Sequence, residues 1–294
     1  MSDKKDLVGV LLAGGKGLRS YPSTKFIPKP LFKVDSETLL LKNIRNDILY
    51  FSKKSGHGHI PACFSIVEIL ISVYEKMNHH SDNSEWEERD IFILSKGHAS
   101  LAHYTVLAHY GYFDKDELMT YGAYNSRFGC HSDRMKVPGV EVSTGSLGHG
   151  IGLAVGMALG IKIRKDRRSV YVLIGDGESN EGTVWESIMV AVDQNLDNLT
   201  ILYDNNGSQK RCLMINNPAE RFEAFGAAVY SVDGHNIDEI VHAMNESVRK
   251  PKVIVCNTVK GYGSKTLSEN MFAWHRRSPN DEEYQMLINE LDNA

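Results

Sequence analysis

A β-rich run, Ser169–Ile174, breaks into Gly175-Asp176-Gly177, and a second run, Leu199–Tyr203, breaks into Asp204-Asn205-Asn206. Between them Trp185–Val192 carries a helical apolar pattern. Strand, helix and strand in that order form a unit whose two strands lie parallel in one sheet. Both polar loops then leave the carboxyl ends of parallel strands, where open α/β sheets bind ligands. Further β-rich runs at Ile91–Leu94, Ala228–Val232 and Val253–Thr258 alternate with helical patterns. The expected fold class is therefore α/β, a mainly parallel sheet with helices on both faces.

The loops carry the chemistry. Asp176 supplies a carboxylate, Asn206 an amide oxygen and Ser208 a backbone carbonyl, a set of hard oxygens suited to Mg²⁺ or Ca²⁺, with phosphate and water completing the shell. The glycines around Asp176 let a phosphate come close, and N–H groups at the following helix start complement its charge. Four histidines add donors: His59 in Gly56-His57-Gly58-His59, His98 in Lys96-Gly97-His98, His131 in Gly129-Cys130-His131, and His275 after Trp274. Three of them follow a glycine or cysteine turn, so they are expected on loops, converging on an anion and on sugar hydroxyls.

Composition removes other classes. The 294 residues carry a formal charge of −4, so no polybasic arm for nucleic acid is expected. Cys63, Cys130, Cys212 and Cys256 form no C-x-x-C pair, which argues against structural zinc and for a reducing compartment, with the cytoplasm as the expected location. The apolar runs are too short to span a bilayer, and the first residues lack a secretory pattern. Gly148, Gly152, Gly156 and Gly160 recur every four residues along one helix face. Each glycine costs roughly 1 kcal/mol relative to alanine there, so a buried helix closely approached by another backbone is expected, with a subunit contact as one setting.

The blocks Leu94–Ser100, Pro138–Gly148, Gly175–Glu178, Asp204–Gly207, Arg221–Gly226, Val232–His235 and Thr258–Gly261 together resemble the amino-terminal half of transketolase, the diphosphate-binding domain of a thiamine-diphosphate enzyme. The resemblance runs from about Leu39 to the carboxyl terminus. It implies that Asp176, Asn206 and the Ser208 carbonyl hold the metal, and that Gly177, His98 and His275 contact the diphosphate. It also implies that Gly145 and Leu147 line the cofactor, that His59 and His131 face the substrate, and that Glu181 joins an acidic network linking paired active sites. His275, with His59, His131 and Glu181, belongs to the expected catalytic set. His149, Cys130-His131-Ser132, Arg276 and Lys210-Arg211-Cys212 depart from the family pattern around the substrate entrance, so the acceptor need not be an ordinary pentose phosphate.

A second resemblance is short. Leu12–Arg19 with Lys29 is similar to the opening motif of sugar-1-phosphate nucleotidyltransferases, where a glycine loop and two cations surround nucleotide phosphates. The expected organisation is a nucleotidyltransferase-like appendage over residues 1–38 and a transketolase-like domain over 39–294. The transketolase resemblance implies transfer of a two-carbon ketol unit from a ketose to an aldose or sugar-derived acceptor, the latter free or nucleotide-linked. The alternatives are a thiamine-diphosphate enzyme with an α-keto acid donor and a non-catalytic nucleotide-sugar-binding subunit. In this family the pyrimidine site belongs to a second domain, for which the chain has no residues left. An α2β2 heterotetramer with a carboxy-terminal partner subunit is therefore expected.

Overall fold

The computed structural model describes residues 33–211 and 213–293. The appendage motif expected at Leu12–Arg19 and Lys29 lies outside them. The chain divides between Lys42 and Asn43. Described residues 33–42 are helical, opening α1 (Lys33–Ser55). The remaining description concerns the unit that begins at Asn43, where Ile44, Ile48 and Leu49 of α1 bury one face at the spacing the sequence carries.

After α1 come α2 (Ile60–Phe64) and α3 (Val67–Lys76), then β1 (Ile91–Leu94), α4 (Ser100–His109) and α5 (His149–Ile163). The rest of the chain runs through β2 (Val170–Gly175), α6 (Gly182–Asp193), β3 (Leu199–Asn205), α7 (Pro218–Ala224), β4 (Ala228–Asp233), α8 (Ile237–Asn245), β5 (Lys252–Asn257), α9 (Lys265–Glu269) and α10 (Asp281–Asp292). The five strands form one sheet in the order β1-β2-β3-β5-β4, and every pairing is parallel.

Burial on both faces explains why β1, β2 and β3 read as continuous apolar runs rather than alternating ones. On one face Val172, Ile174, Ile201, Tyr203, Val253 and Val255 pack with Ile151, Ala154 and Ala158 of α5, Val184 and Ile188 of α6, and Phe222 of α7. On the other, the Phe92 ring meets Tyr74 of α3 and His103 of α4 at centroid distances of 5.8 and 5.1 Å. Each large apolar side chain so buried contributes roughly 1.5–3 kcal/mol. No helix among the described residues is long and apolar enough to cross a membrane.

Two glycines at the start of α5 are required sterically. Gly148 caps the helix at φ +81°, and a Cβ there would stand 2.5 Å from Thr183 Oγ1 and 2.7 Å from Glu181 Cβ. At Gly150 a Cβ would come within 2.8 Å of Ser95 Cα. The close approach expected along the whole glycine stripe is not met among the described residues. Among the described residues Gly156 and Gly160 have no atom within 4 Å of an added Cβ, and Gly152 has only Ser187 Oγ at 3.6 Å. The buried stripe of α5 is instead Ile151, Ala154, Val155, Ala158 and Ile161, while Gly152 and Gly156 are exposed.

Candidate active site

The register aligns Gly175 with Asp204 and Asp204 with Cys256, so the loops after β2, β3 and β5 begin side by side. Parallel strands end at one sheet edge, and the loop after β1 joins them there through Ser95, Lys96 and the short turn Gly97–Ala99. This edge is where a doubly wound sheet places its ligand.

Asp204 ties the loops together. Its buried carboxylate accepts from Lys96 Nζ at 2.5 Å, Ser65 Oγ at 2.9 Å, Asn206 Nδ2 at 2.6 Å and Thr258 Oγ1 at 2.5 Å. The same contact fixes the Asn206 amide, whose Oδ1 accepts from the Ser208 N–H at 3.0 Å and Ser208 Oγ at 2.5 Å. Glu178, also buried, closes the β2 loop by accepting from Ser95 Oγ at 2.5 Å, Gly148 N–H at 2.8 Å and Gly175 N–H at 3.1 Å.

Asp176 accepts from the Gly177 N–H at 2.7 Å and the Gln209 N–H at 3.4 Å, and among the described residues it has no ion-pair partner. Burial first, then the charge of Asp204, raises its pKa. A buried carboxylate without its own cation, beside Asn206 and Ser208, presents the oxygen chemistry that suits a divalent ion. Next to it Gly177 faces open space where a Cβ would stand. Among the described residues no three His, Cys, Asp or Glu side chains gather as a metal cluster.

Three of the four expected histidines are brought together. The His59 ring lies 5.2 Å from that of His98 and 5.6 Å from that of His275. His131 stands against Gly145, its ring atoms 3.5 Å from an added Cβ there. Burial is the main cause that pushes His59 down to about 4, with His275, His131, Arg276 and Lys260 adding to it. Burial likewise lowers His98, His131 and His275, helped at His98 by Lys96, at His131 by Arg276 and at His275 by Lys260. Near neutral pH the four rings are uncharged, each with one N–H donor and one acceptor nitrogen.

Lys260 joins this cluster to the metal-type loop. Its Nζ donates to Ser208 Oγ at 2.7 Å and lies 3.1 Å from His275 Nδ1, and burial followed by the charge of Lys96 brings its pKa down to about 8. Although it stands in the block Thr258-Val259-Lys260-Gly261, sequence reasoning does not single it out. Lys96, Asp204 and Glu178 escape it as anchors for the same reason: nothing in their spacing tells which side chains will share a buried network. Of the remaining expected residues, Leu147 is half-buried just before α5, and Glu181 is exposed at the start of α6, beside Gly148.

The family described as "Transketolase, thiamine diphosphate binding domain" matches residues 36–290. The chain belongs to the transketolase family. It is 38% identical over 260 residues to one of the subunits of the apulose-4-phosphate transketolase of Actinobacillus succinogenes, covering 85% of this chain and 94% of that one. It is 39% identical over 248 residues to the 6-deoxy-6-sulfo-D-fructose transketolase subunit SqwG of a Clostridium species, covering 81% and 90%. Against human transketolase the identity is 34%, over 81% of this chain but 39% of that protein. A solved transketolase of Pichia stipitis in complex with fructose 6-phosphate superposes with a TM-score of 0.81 at 25% identity, over 88% of this chain and 41% of the other. The parallel α/β sheet is thus the transketolase thiamine-diphosphate-binding fold, and the chain is a thiamine-diphosphate-dependent transferase component.

Proposed function

We propose that this chain is the diphosphate-binding subunit of a two-chain transketolase that moves a two-carbon ketol unit from a ketose to an aldose or sugar-derived acceptor. The observation that carries the reading is the convergence of Asp176, Asn206, Ser208, Lys260, His59, His98 and His275 at one sheet edge. Thiamine diphosphate, when bound, supplies the carbanion chemistry and the electron sink. Asp176, Asn206 and the Ser208 carbonyl hold Mg²⁺ or Ca²⁺. The Gly177 backbone, Lys260, His98 and His275 bind the diphosphate, and Gly145 and Leu147 line the cofactor. His59 and His131, neutral donors and acceptors, orient substrate hydroxyls and carbonyl.

The partner is a carboxy-terminal transketolase-like subunit carrying the pyrimidine site, in an α2β2 arrangement. Two relatives bear subunit names, and the chain spans nearly their whole length. The exposed face of α5 and α6 supports such a contact, since Leu153, Met189 and Val190 are about half exposed beside the open glycine stripe. Glu181 sits at that edge, where it serves the link between paired sites. The motif at Leu12–Arg19 and Lys29 makes a nucleotide-linked sugar one acceptor to try.

The deciding experiment is calorimetry of thiamine diphosphate with Mg²⁺ on the complex of this chain with its partner, followed by product analysis by mass with free, phosphorylated and nucleotide-linked sugars. Saturable cofactor uptake and two-carbon transfer are expected. Uptake without transfer from any ketose, but with decarboxylation of α-keto acids, would replace the ketol reading.

A further inference from the structure

Behind the loop that carries Lys260 lies a charged cluster to which the reading above assigns no task. Arg45 Nη2 lies 2.7 and 2.8 Å from the two oxygens of Glu68, with the side chains 5% and 1% exposed. His235 reaches this pair from the loop after β4. That loop presses on the end of β5 through Gly234, where a Cβ would collide with Thr258 Cγ2 and stand 3.0 Å from Cys256 Cβ.

The imidazole of His235 has two partners in its plane and one on its face. Its Nδ1 lies 3.2 Å from Glu68 Oε2, and its Nε2 accepts the Val259 N–H at 2.9 Å. Tyr262 stacks on it with centroids 3.6 Å apart and planes 11° from parallel, and the Arg45 guanidinium stands 5.2 Å from that Tyr262 ring. An Nε2 that accepts an N–H carries a lone pair, so the ring proton is on Nδ1 and is donated to Glu68. One imidazole therefore grips the residue just before Lys260 and the residue two places after it. Lys260 itself is 2% exposed.

We infer that His235 is a positioning residue that aims Lys260 into the diphosphate site, with the Arg45–Glu68 pair selecting the imidazole tautomer that makes this possible. The inference rests on the reading that Lys260 faces the diphosphate. His235→Phe keeps the ring stack on Tyr262 but loses both nitrogen contacts. His235→Gln retains an amide oxygen able to accept the Val259 N–H.

The test uses the assembled two-chain complex with each variant, alone and combined with Lys260→Ala, with folding checked by thermal unfolding. The first readout is acetylation of Lys260 in the absence of cofactor, measured by mass spectrometry against exposed Lys250. It should rise several-fold in His235→Phe and return toward wild type in His235→Gln. The second is calorimetric binding of thiamine diphosphate with Mg²⁺. His235→Phe should weaken it about tenfold, the order of one hydrogen bond to a charged group, and should weaken it no further once Lys260 is alanine. Unchanged labelling of Lys260, or the same weakening with and without Lys260, would overturn the inference. A wild-type complex that takes up no thiamine diphosphate would instead sink the functional reading, while the labelling result still decides whether His235 aims Lys260.

Discussion

Lys96 Nζ lies 2.5 Å from Asp204 Oδ2, with the side chains 1% and 0% exposed, so a dry ion pair sits between the loops after β1 and β3. Asp204 also accepts from Ser65, Asn206 and Thr258. Burying two charges is costly in itself, and such a pair is stabilising only when its remaining hydrogen-bond capacity is filled. Here it is filled by Ser65 and Thr258 from two other segments and by Asn206 two residues on, and the pair holds together the loops that present Asn206, Ser208 and Lys260.

Lys96→Met should therefore destabilise the chain by about 3–5 kcal/mol, the usual cost of leaving one buried charge without its partner. Urea unfolding followed by circular dichroism checks this. A loss below about 1 kcal/mol, the worth of an ordinary hydrogen bond, would show that the neutral donors around Asp204 suffice.

Asp176 is buried without its own cation, and burial with Asp204 raises its pKa. A raised carboxyl pKa means that the ionised form costs stability above that pKa, in the neutral range. Asp176→Asn should unfold at a temperature no lower than wild type, yet lose Mg²⁺-dependent thiamine diphosphate binding in the complex. Thermal scans and calorimetry on one preparation measure both. Binding retained at wild-type strength would remove Asp176 from the metal site.

His131 stands at Gly145 and adds to the downward shift of His59. His131→Ala is expected to reduce turnover at least about tenfold, a modest loss for a group acting at the reacting carbons. Cofactor affinity should change less. Steady-state kinetics with varied cofactor separate the two, and the reverse pattern would place His131 on the cofactor.

His103 is buried on α4, with Nε2 2.8 Å from Tyr74 Oη, and burial brings its pKa down to about 3. Its folded pKa lies below its unfolded value near 6.5, so between those values the unfolded chain binds the extra proton. Stability should fall as pH drops below about 6.5, with a slope of up to roughly 1.4 kcal/mol per pH unit from this group. Chemical unfolding from neutral pH down to about 5 reads the slope, and His103→Gln should flatten it. An equal slope in both proteins would assign the acid sensitivity elsewhere.

A Cβ added at Gly156 has no atom of the described residues within 4 Å. Gly156→Glu should leave the isolated chain as stable as wild type or slightly more so, because glycine costs roughly 1 kcal/mol in a helix. On the two-chain reading it should prevent assembly, seen by sedimentation. Normal assembly would move the contact off this face.

Local composition was enough to place the strands. Ile91–Leu94, Leu199–Tyr203 and their neighbours are runs whose apolar character leaves few alternatives to a fully covered parallel sheet, and each lies within a residue or two of the observed strand. The loops after them follow from chain order alone, so Asp176, Asn206 and Ser208 were legible as a group. The glycine stripe was legible as a pattern, but its surroundings were not: the same spacing serves a helix whose glycines face inward or outward, and only packing of Ile151, Ala154 and Ala158 turned Gly152 and Gly156 outward. Tertiary structure alone decided which loops meet. Lys96 and Asp204 are 108 positions apart in the chain, and Arg45, Glu68 and His235 come from three separate elements. Hydrophobic patterning fixes elements through short-range periodicity, whereas a buried polar network forms wherever folding leaves donors and acceptors with no water to turn to.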